Sequence, residues 1–128
     1  MVDLALHGNS RPLPLKEISE RQAISEKYLE QLLRRLRQAG LTQTIRGARG
    51  GYVLAKSPDA ISVEEILRGA GESLIAVQCI NGKSKCSRES VCTVRLCWKE
   101  LHRKIREFLE SVTLSDLCRR ERSGGTDA

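Results

Sequence analysis

The sequence predicts a mainly α-helical protein with one small β-hairpin and a long C-terminal helix. Apolar residues recur at helical spacing over residues 25–39 and again over 93–112, and a glycine-rich stretch separates two β-prone segments within 41–54. A chain of 128 residues has room for one modest core. We therefore expect a single folded domain whose functional sites lie on its surface.

The first third of the chain predicts three helices. Residues 1–7 are apolar enough to end a helix, but no N-terminal cap precedes them, so we expect a helix whose beginning is missing. Residues 15–21 (LKEISER) predict a short helix that begins beside Pro14. Ser25 is a good N-cap for the third helix, which Gly40 ends. Its apolar stripe is formed by Leu29, Leu32, Leu33 and Leu36.

A hairpin and a fourth helix follow. Residues 41–45 (LTQTI) and 52–54 are β-prone, and the tip between them, RGARGG, is basic and rich in glycine. Ser62 and Glu65 form a capping box for a helix through Arg68, which glycines at 69 and 71 end. Helix, turn, second helix and hairpin, in that order, are typical of a winged helix-turn-helix. We assign this DNA-binding region to residues 1–71.

In a winged helix-turn-helix, the second helix of the motif enters the major groove and the hairpin follows the backbone or enters the minor groove. Glu30 and Gln31 have side chains that can contact base edges, while Arg46 and Arg49 suit a narrow minor groove. The predicted DNA-binding residues are Ser25, Lys27, Tyr28, Glu30, Gln31, Arg34, Arg46 and Arg49. The alternative is that the polar side chains are simply solvated and that Tyr28 is a core ring.

Charge and composition limit the function classes. The net charge is +6, and residues 1–56 carry ten Lys or Arg against five Asp or Glu, which suits an anionic partner or simply aids solubility. The sequence has neither an apolar run of about 20 residues nor a secretory signal, so we expect a cytoplasmic protein without a membrane partner. Neither His7 nor His102 has a paired acid motif nearby, and the chain is not expected to be an enzyme or an electron carrier.

Residues 72–118 predict a cysteine-rich loop followed by a dimerisation helix. Residues 79–92 have no apolar period, whereas a helix is expected from about 93 to 111, with a last short turn over 113–118. Five apolar residues spaced 3, 4, 3 and 4 form a coiled-coil seam, namely Trp98, Leu101, Ile105, Phe108 and Val112. The seam predicts a homodimer, with packing inside one chain as the alternative. Residues 119–128 (RRERSGGTDA) are expected to be a disordered tail.

The cysteines indicate metal binding or redox sensing. Five cysteines, an odd number, are not suited to structural disulfides in a reducing compartment. Cys79, Cys86 and Cys92 are separated by six and five residues, which differs from zinc ribbons and suits thiolates around an iron-sulfur cluster. Zinc and metal-free thiol oxidation are the alternatives. The fourth ligand stays open between Cys97, His102, a partner-chain residue and a small molecule, and Cys97 could instead be a buried small hydrophobe.

The segment SEKYLEQLLRRLRQAGL at 25–41, followed by RGARGGYVLAKSP at 46–58, closely resembles the Rrf2 family of bacterial regulators. The resemblance extends through the SVEEIL helix, the cysteine loop and the long helix, covering residues 1–117, and is greatest to the iron-sulfur cluster regulators of the IscR type. It implies a winged-helix dimer that controls transcription from a pseudo-palindromic operator. It further implies an iron-sulfur cluster, with 2Fe-2S favoured over 4Fe-4S, and places Ser25, Glu30, Gln31 and Arg46 at base- or groove-contacting positions.

The sequence departs from that family at two points. Family members usually begin upstream of the segment matching MVDLALHG with residues that contact DNA, so the start lies further upstream, the chain is shortened, or the protein lacks those contacts. IscR-type proteins also place a histidine three residues after the third cysteine, where this chain has Arg95, whose guanidinium is not a plausible ligand. We expect a regulator that senses cluster status or redox or nitrosative stress. The alternative is a cluster-free regulator of cysteine or sulfur metabolism, controlled by thiol oxidation or by a partner protein.

Overall fold

The structure is a computed structural model, and it describes residues 1–74, 78–80 and 86–124. The helices are α1 (Val2–His7), α2 (Leu15–Gln22), α3 (Glu26–Gln38), α4 (Val63–Ala70), α5 (Thr93–Ser111) and α6 (Leu114–Arg122). The strands are β1 (Thr42–Ile45) and β2 (Gly51–Leu54), and single 3-10 turns occupy Pro58–Ala60 and Gln78–Ile80. The predicted mainly helical winged helix-turn-helix with a small hairpin and a long C-terminal helix is confirmed.

Helices α2 and α3 form the helix-turn-helix. Ala23 adopts a left-handed conformation with φ 51°, which ends α2 and turns the chain. The Ser25 hydroxyl then accepts a hydrogen bond from the Tyr28 backbone N–H at 3.3 Å and caps α3 as expected. The side of α3 that faces the core contains three buried residues, Leu29, Leu33 and Leu36. Their burial orients the polar side chains of α3 towards solvent.

The hairpin is anchored through strand β2 to the linker between α1 and α2. Strands β1 and β2 pair antiparallel from Thr42 opposite Leu54 to Ile45 opposite Gly51. The backbone of Leu13 exchanges two hydrogen bonds with Tyr52, at 3.0 and 2.8 Å. A Cβ atom at Gly51 would lie 2.4 Å from the Leu13 carbonyl oxygen, so the residue beside this bridge must be glycine. The start of β2, next to the wing tip, is therefore fixed to that linker.

Helix α6 packs back onto α1 and the Pro58–Ala60 turn, which corrects two predictions. Leu114 donates a backbone hydrogen bond to Ile61 at 2.8 Å, and both side chains are fully buried. Thr113 and Asp116 form a capping box that starts α6, which continues to Arg122. The expectations of a single short turn at 113–118 and of disorder from Arg119 are wrong for this stretch, because the cap and the buried face outweigh its polar composition. Residues 125–128 of the predicted tail lie outside the described residues.

Helix α5 has the bounds that the sequence predicted, but the structure divides its apolar seam. Trp98 and Ile105 are half-buried where α5 packs on α4, whereas Leu101 and Phe108 are 42% and 60% exposed. Val112 does not belong to the seam, because it lies beyond the end of α5, is 8% exposed and accepts a hydrogen bond from the Val63 N–H. Among the described residues, none of the helices has the length and apolar character needed to span a bilayer.

Candidate DNA interface and cysteine loop

The predicted DNA-contacting residues of α3 all lie on its solvent side. Ser25, at the N-cap, is exposed. The exposed side chains within the helix are Lys27, Tyr28, Glu30, Gln31 and Arg34. Tyr28 is 52% exposed, so the alternative that it is a core ring is wrong. The structure thus presents one continuous polar face, because buried leucines occupy the opposite side of the helix.

This face has no ionic partners within the described part of the chain. Lys27, Glu30 and Arg34 form no salt bridge there, whereas side chains of α2 and α5 form several. Two other arginines of α3 have structural roles, since Arg35 donates to the Ala70 carbonyl at 3.1 Å and Arg37 to the Thr44 hydroxyl at 3.3 Å. They fix α3 against α4 and against the wing, while the outer charges stay available for a ligand.

The wing presents a second basic surface. Arg46 and Arg49 are both exposed at its tip. The tip is tight: Gly50 donates a backbone hydrogen bond to the Gly47 carbonyl at 3.0 Å, and a Cβ atom at Gly50 would lie 2.1 Å from the Ile45 carbonyl oxygen. Between wing and α3 lies an open groove of about 690 Å³. Basic side chains on its walls are Arg37, Arg46 and Lys56, of which only Arg46 was identified from the sequence.

An ionic network holds α1 onto the helix-turn-helix. Arg21 donates to both carboxylate oxygens of Asp3 at 2.9 Å and to Glu17 at 2.6 Å, and Glu17 also accepts from Arg11 at 2.7 Å. The hydrogen bond from Arg21 lowers the pKa of Asp3 below its ordinary 3.8. Hydrogen bonds from Arg11 and Arg21 lower the pKa of Glu17 to about 2. These charges are internally compensated, unlike those of α3.

The three predicted ligand cysteines occupy different environments. Cys79 is half-buried in the turn Gln78–Ile80, Cys86 is exposed, and the half-buried Cys92 is the N-cap residue of α5. All three are free thiols. Thiolate sulfur is the ligand that iron-sulfur clusters prefer, and the three cysteines supply three such ligands. Across residues 1–74, 78–80 and 86–124, however, no three Cys, His, Asp or Glu side chains come together as a metal site. The connecting residues 81–85 lie outside the described residues.

The structure separates the two candidate fourth ligands. Cys97 is exposed on α5, so the expectation that it could be a buried hydrophobe is wrong. His102 lines a cavity of about 510 Å³ between α4 and α5, beside Arg68 and Arg106. Its Nδ1 atom is buried and has no hydrogen-bond partner in the described structure. Cys118 is buried in the core, where desolvation raises the pKa of its thiol.

Arg95 is a residue of the loop region whose role the sequence did not reveal. Its Nε donates to the Cys79 carbonyl oxygen at 3.3 Å, and its Nη2 donates to the Glu89 carboxylate at 2.7 Å. Sequence reasoning identified only that a guanidinium could not replace a ligand. The five donors of that guanidinium, and the acidic Glu89 six residues earlier, were the available signal.

Comparison with known proteins decides the family. A family model described as Rrf2, an iron-dependent transcriptional regulator, matches residues 1–120. The chain belongs to the Rrf2 family. Two relatives named HTH-type transcriptional regulator IscR, from Erwinia tasmaniensis and Vibrio cholerae, are each 44% identical to it over 117 residues. The match covers 91% of this chain in both cases, and 70% and 67% of the respective relatives.

Solved structures of the Rrf2 family agree with that assignment. The T. potens IscR structure has a TM-score of 0.75 and 37% identity, covering 99% of this chain and 82% of that one. The B. subtilis CymR structure, described as the global cysteine regulator, has a TM-score of 0.72 and 37% identity, covering 92% and 86%. The predicted family, fold and function as an IscR-like transcription regulator are therefore confirmed. The roles of individual residues remain predictions.

Proposed function

We propose that this Rrf2-family regulator binds duplex DNA as a cytoplasmic homodimer and that its cysteine loop controls this binding. One observation supports the proposed DNA-binding surface. The polar face of α3 has no ionic partners in the described structure, and an open groove separates α3 from the wing, whose tip exposes two arginines. Buried leucines and the bonds from Arg35 and Arg37 hold α3 in place behind that face. Such a rigid element can present side chains to base edges in the major groove.

The proposed roles follow from side-chain chemistry. Glu30 accepts from a cytosine amino group, and Gln31 pairs with an adenine edge. Ser25, Lys27, Tyr28 and Arg34 contact phosphates around the start and flank of α3. Arg46 and Arg49 enter or follow the minor groove, where a narrow groove concentrates negative potential. Phosphate contacts set affinity and salt dependence, whereas Glu30 and Gln31 set sequence preference.

A binding assay on a selected operator tests these roles. Gln31→Ala should relax base preference and Arg46→Ala should weaken operator binding, each by about 1–3 kcal/mol for a specific contact. Arg103→Ala, which removes an exposed charge on α5, is the matched control and should leave affinity near wild type. Fluorescence anisotropy at several salt concentrations separates the effects, because loss of a phosphate contact also reduces the salt slope. Unchanged binding by both variants would refute the assignment.

The proposed dimer uses the exposed residues of the α5 seam, Leu101 and Phe108, together with Val94, which was not part of the predicted seam. Val94, Leu101 and Phe108 recur every seven residues and are 59%, 42% and 60% exposed. Such a stripe needs an apolar cover, and a second copy of the same helix provides one. Because α5 also packs on α4, and α4 on α3, a shift of α5 can change the spacing of the two recognition helices.

Cys79, Cys86 and Cys92 are the proposed thiolate ligands of an iron-sulfur cluster, with 2Fe-2S favoured over 4Fe-4S. A bound cluster would supply sensitivity to iron, oxygen or nitric oxide. The chain itself contributes an anchored loop: Cys92 starts α5, and the turn of Cys79 packs against the same helix. Metal-free thiol control is the second candidate, because the described thiols do not converge and the sequence has Arg95 where the IscR resemblance implies a histidine.

Anaerobic purification distinguishes the two candidates. We expect visible absorption with matched iron and sulfide in the wild type, and loss of all three in Cys92→Ser. Cys118→Ala, which changes a buried thiol remote from the loop, should keep the iron and serves as control. Cys97→Ser and His102→Gln then show which side chain, if either, is the fourth ligand. A wild type that stays colourless and iron-free after reconstitution would favour thiol control.

A further inference from the structure

Arg95 lies in the first turn of α5 and fastens two parts of the cysteine loop to that helix. Besides the bonds to the Cys79 carbonyl at 3.3 Å and the Glu89 carboxylate at 2.7 Å, its Nη1 donates to the Glu89 carbonyl oxygen at 3.5 Å. The bond to Cys79 spans 16 residues, so it is a tertiary contact. One side chain thereby connects the turn of Cys79, the turn that follows Cys86, and the helix that begins after Cys92.

This arrangement differs from that of the other arginines on α5. The side chain of Arg95 is 22% exposed. Arg103 and Arg106 are 56% and 57% exposed and form ion pairs with glutamates three or four residues away on the same helix. Those ion pairs are local and screened by solvent, so each contributes little to the stability of the fold. Arg95, in contrast, holds backbone groups of the loop with charge-assisted hydrogen bonds in a partly dehydrated setting.

We infer that Arg95 is a latch that restricts access to the thiols of Cys79 and Cys92 and leaves Cys86 as the first of the three loop thiols to react. Cys79, whose carbonyl oxygen accepts from Arg95, and Cys92, three residues before Arg95, are half-buried, whereas Cys86 is exposed. A guanidinium cannot ligate a metal, so it holds the loop without joining the donor set. Since no three ligand side chains converge among the described residues, the loop must rearrange before three thiolates reach one centre, and the bond from Arg95 resists movement of the Cys79 turn.

The latch orders the chemistry of the loop. A soft metal ion or an electrophile can bind the Cys86 thiol without breaking any described contact of that thiol. It reaches the thiols of Cys79 and Cys92 only after Arg95 releases the Cys79 turn. The inference rests on the proposed role of the loop for its regulatory meaning. The latch itself is a property of the metal-free, reduced protein, so it is testable without a cluster.

Site-resolved alkylation of that protein by iodoacetamide tests the latch. Mass spectrometry of peptides gives a rate for each cysteine, and in the wild type we expect Cys86 to react faster than Cys79 and Cys92. Arg95→Ala should raise the rates at those two positions on the order of 5- to 10-fold, as one charge-assisted hydrogen bond no longer resists opening. Rates at Cys86 and Cys97 should stay unchanged. Removing a cation disfavours the thiolate, so electrostatics alone predicts slower alkylation and a faster rate reports access.

Further variants separate the latch from general loosening. Arg103→Ala removes the same charge from α5 without touching the loop and should leave all rates unchanged, while Arg95→Lys should restore protection only in part. Cys118 is buried in the core and reports unfolding. If the alkylation rate of Cys118 also rises in Arg95→Ala, that variant is partly unfolded, and the milder Glu89→Gln replaces it as the test of the latch. This variant weakens only the hydrogen bond between Arg95 and the Glu89 carboxylate. Unchanged rates at Cys79 and Cys92 in both Arg95→Ala and Glu89→Gln overturn the latch, whatever the iron content shows.

Discussion

The proposed DNA-binding unit, meaning residues 1–71 with α6, and the proposed sensor arm, meaning residues 78–80 and 86–111, are stabilised in different ways. Leu13, Ile61 and Leu114 are fully buried in the first, within a core that α6 completes. Helix α5 has no buried residue along its 19 residues. Burial of apolar surface is the main driving force of folding, so the unit has its own core and the arm depends on what packs against it.

Charge follows the opposite pattern in the two regions. On α5, glutamate and arginine side chains pair along the helix, for example Arg106 with Glu110 at 2.9 Å, and leave the apolar stripe as the unsatisfied surface. On α3, apolar residues are buried, and the outer charges of Lys27, Glu30 and Arg34 have no ionic partner among the described residues. Each region thus exposes the type of surface that its proposed partner requires: DNA for α3, and a second copy of the chain for α5.

A core substitution gives the largest effect. Leu114→Ala should lower the free energy of unfolding by about 2–5 kcal/mol, because it leaves a cavity where α6 meets Ile61. Phe108→Ala, at a position that is 60% exposed, should change the stability of the isolated chain far less. Urea unfolding compares the two variants, at a protein concentration below the dissociation constant of the dimer. An equal loss in both variants would mean that α5 has a core of its own.

A charge in the α5 stripe has the next largest expected effect. Phe108→Asp should weaken self-association by about 2–4 kcal/mol, since a carboxylate would have to be buried against the partner helix. Leu96→Asp places the same charge at a position that is 67% exposed and outside the stripe, so it should leave the dimer intact. Analytical ultracentrifugation measures both, and circular dichroism checks that the helices remain. Equal weakening by the two variants would contradict the proposed seam.

Acid should produce the smallest change, and it should act on the DNA-binding unit. The folded-state pKa of Asp3 lies below 3.8, and that of Glu17 falls from 4.5 to about 2. Lowered folded-state values mean that the ionised groups stabilise the fold above about pH 4.5 and that this contribution is lost as the pH falls towards 2. Asp3→Asn should therefore lose less stability than wild type between pH 5.5 and pH 3 in urea unfolding. Glu20→Gln, whose partner Lys16 is 4.0 Å away and exposed, should keep the wild-type dependence.

Local sequence signals determined most of the secondary structure and the composition of the site. Ser25, the glycines of the wing tip and the Ser62–Glu65 capping box act through neighbours a few residues away, so their effects can be read from spacing alone. The same holds for the polar face of α3, because the period of an α-helix fixes which side chains share a side. These features put the residues of α3 that we predict to bind DNA on the exposed side of that helix.

Contacts between distant segments were decided only by the tertiary structure. The apolar stripe of α5 could not show which of its residues face α4 and which face outwards, because both sets have the same period. The docking of α6 on Ile61, the position of His102 against α4 and the bond from Arg95 to Cys79 join residues far apart in the chain. A sequence specifies each partner's chemistry, but only packing of the whole chain selects which partners meet.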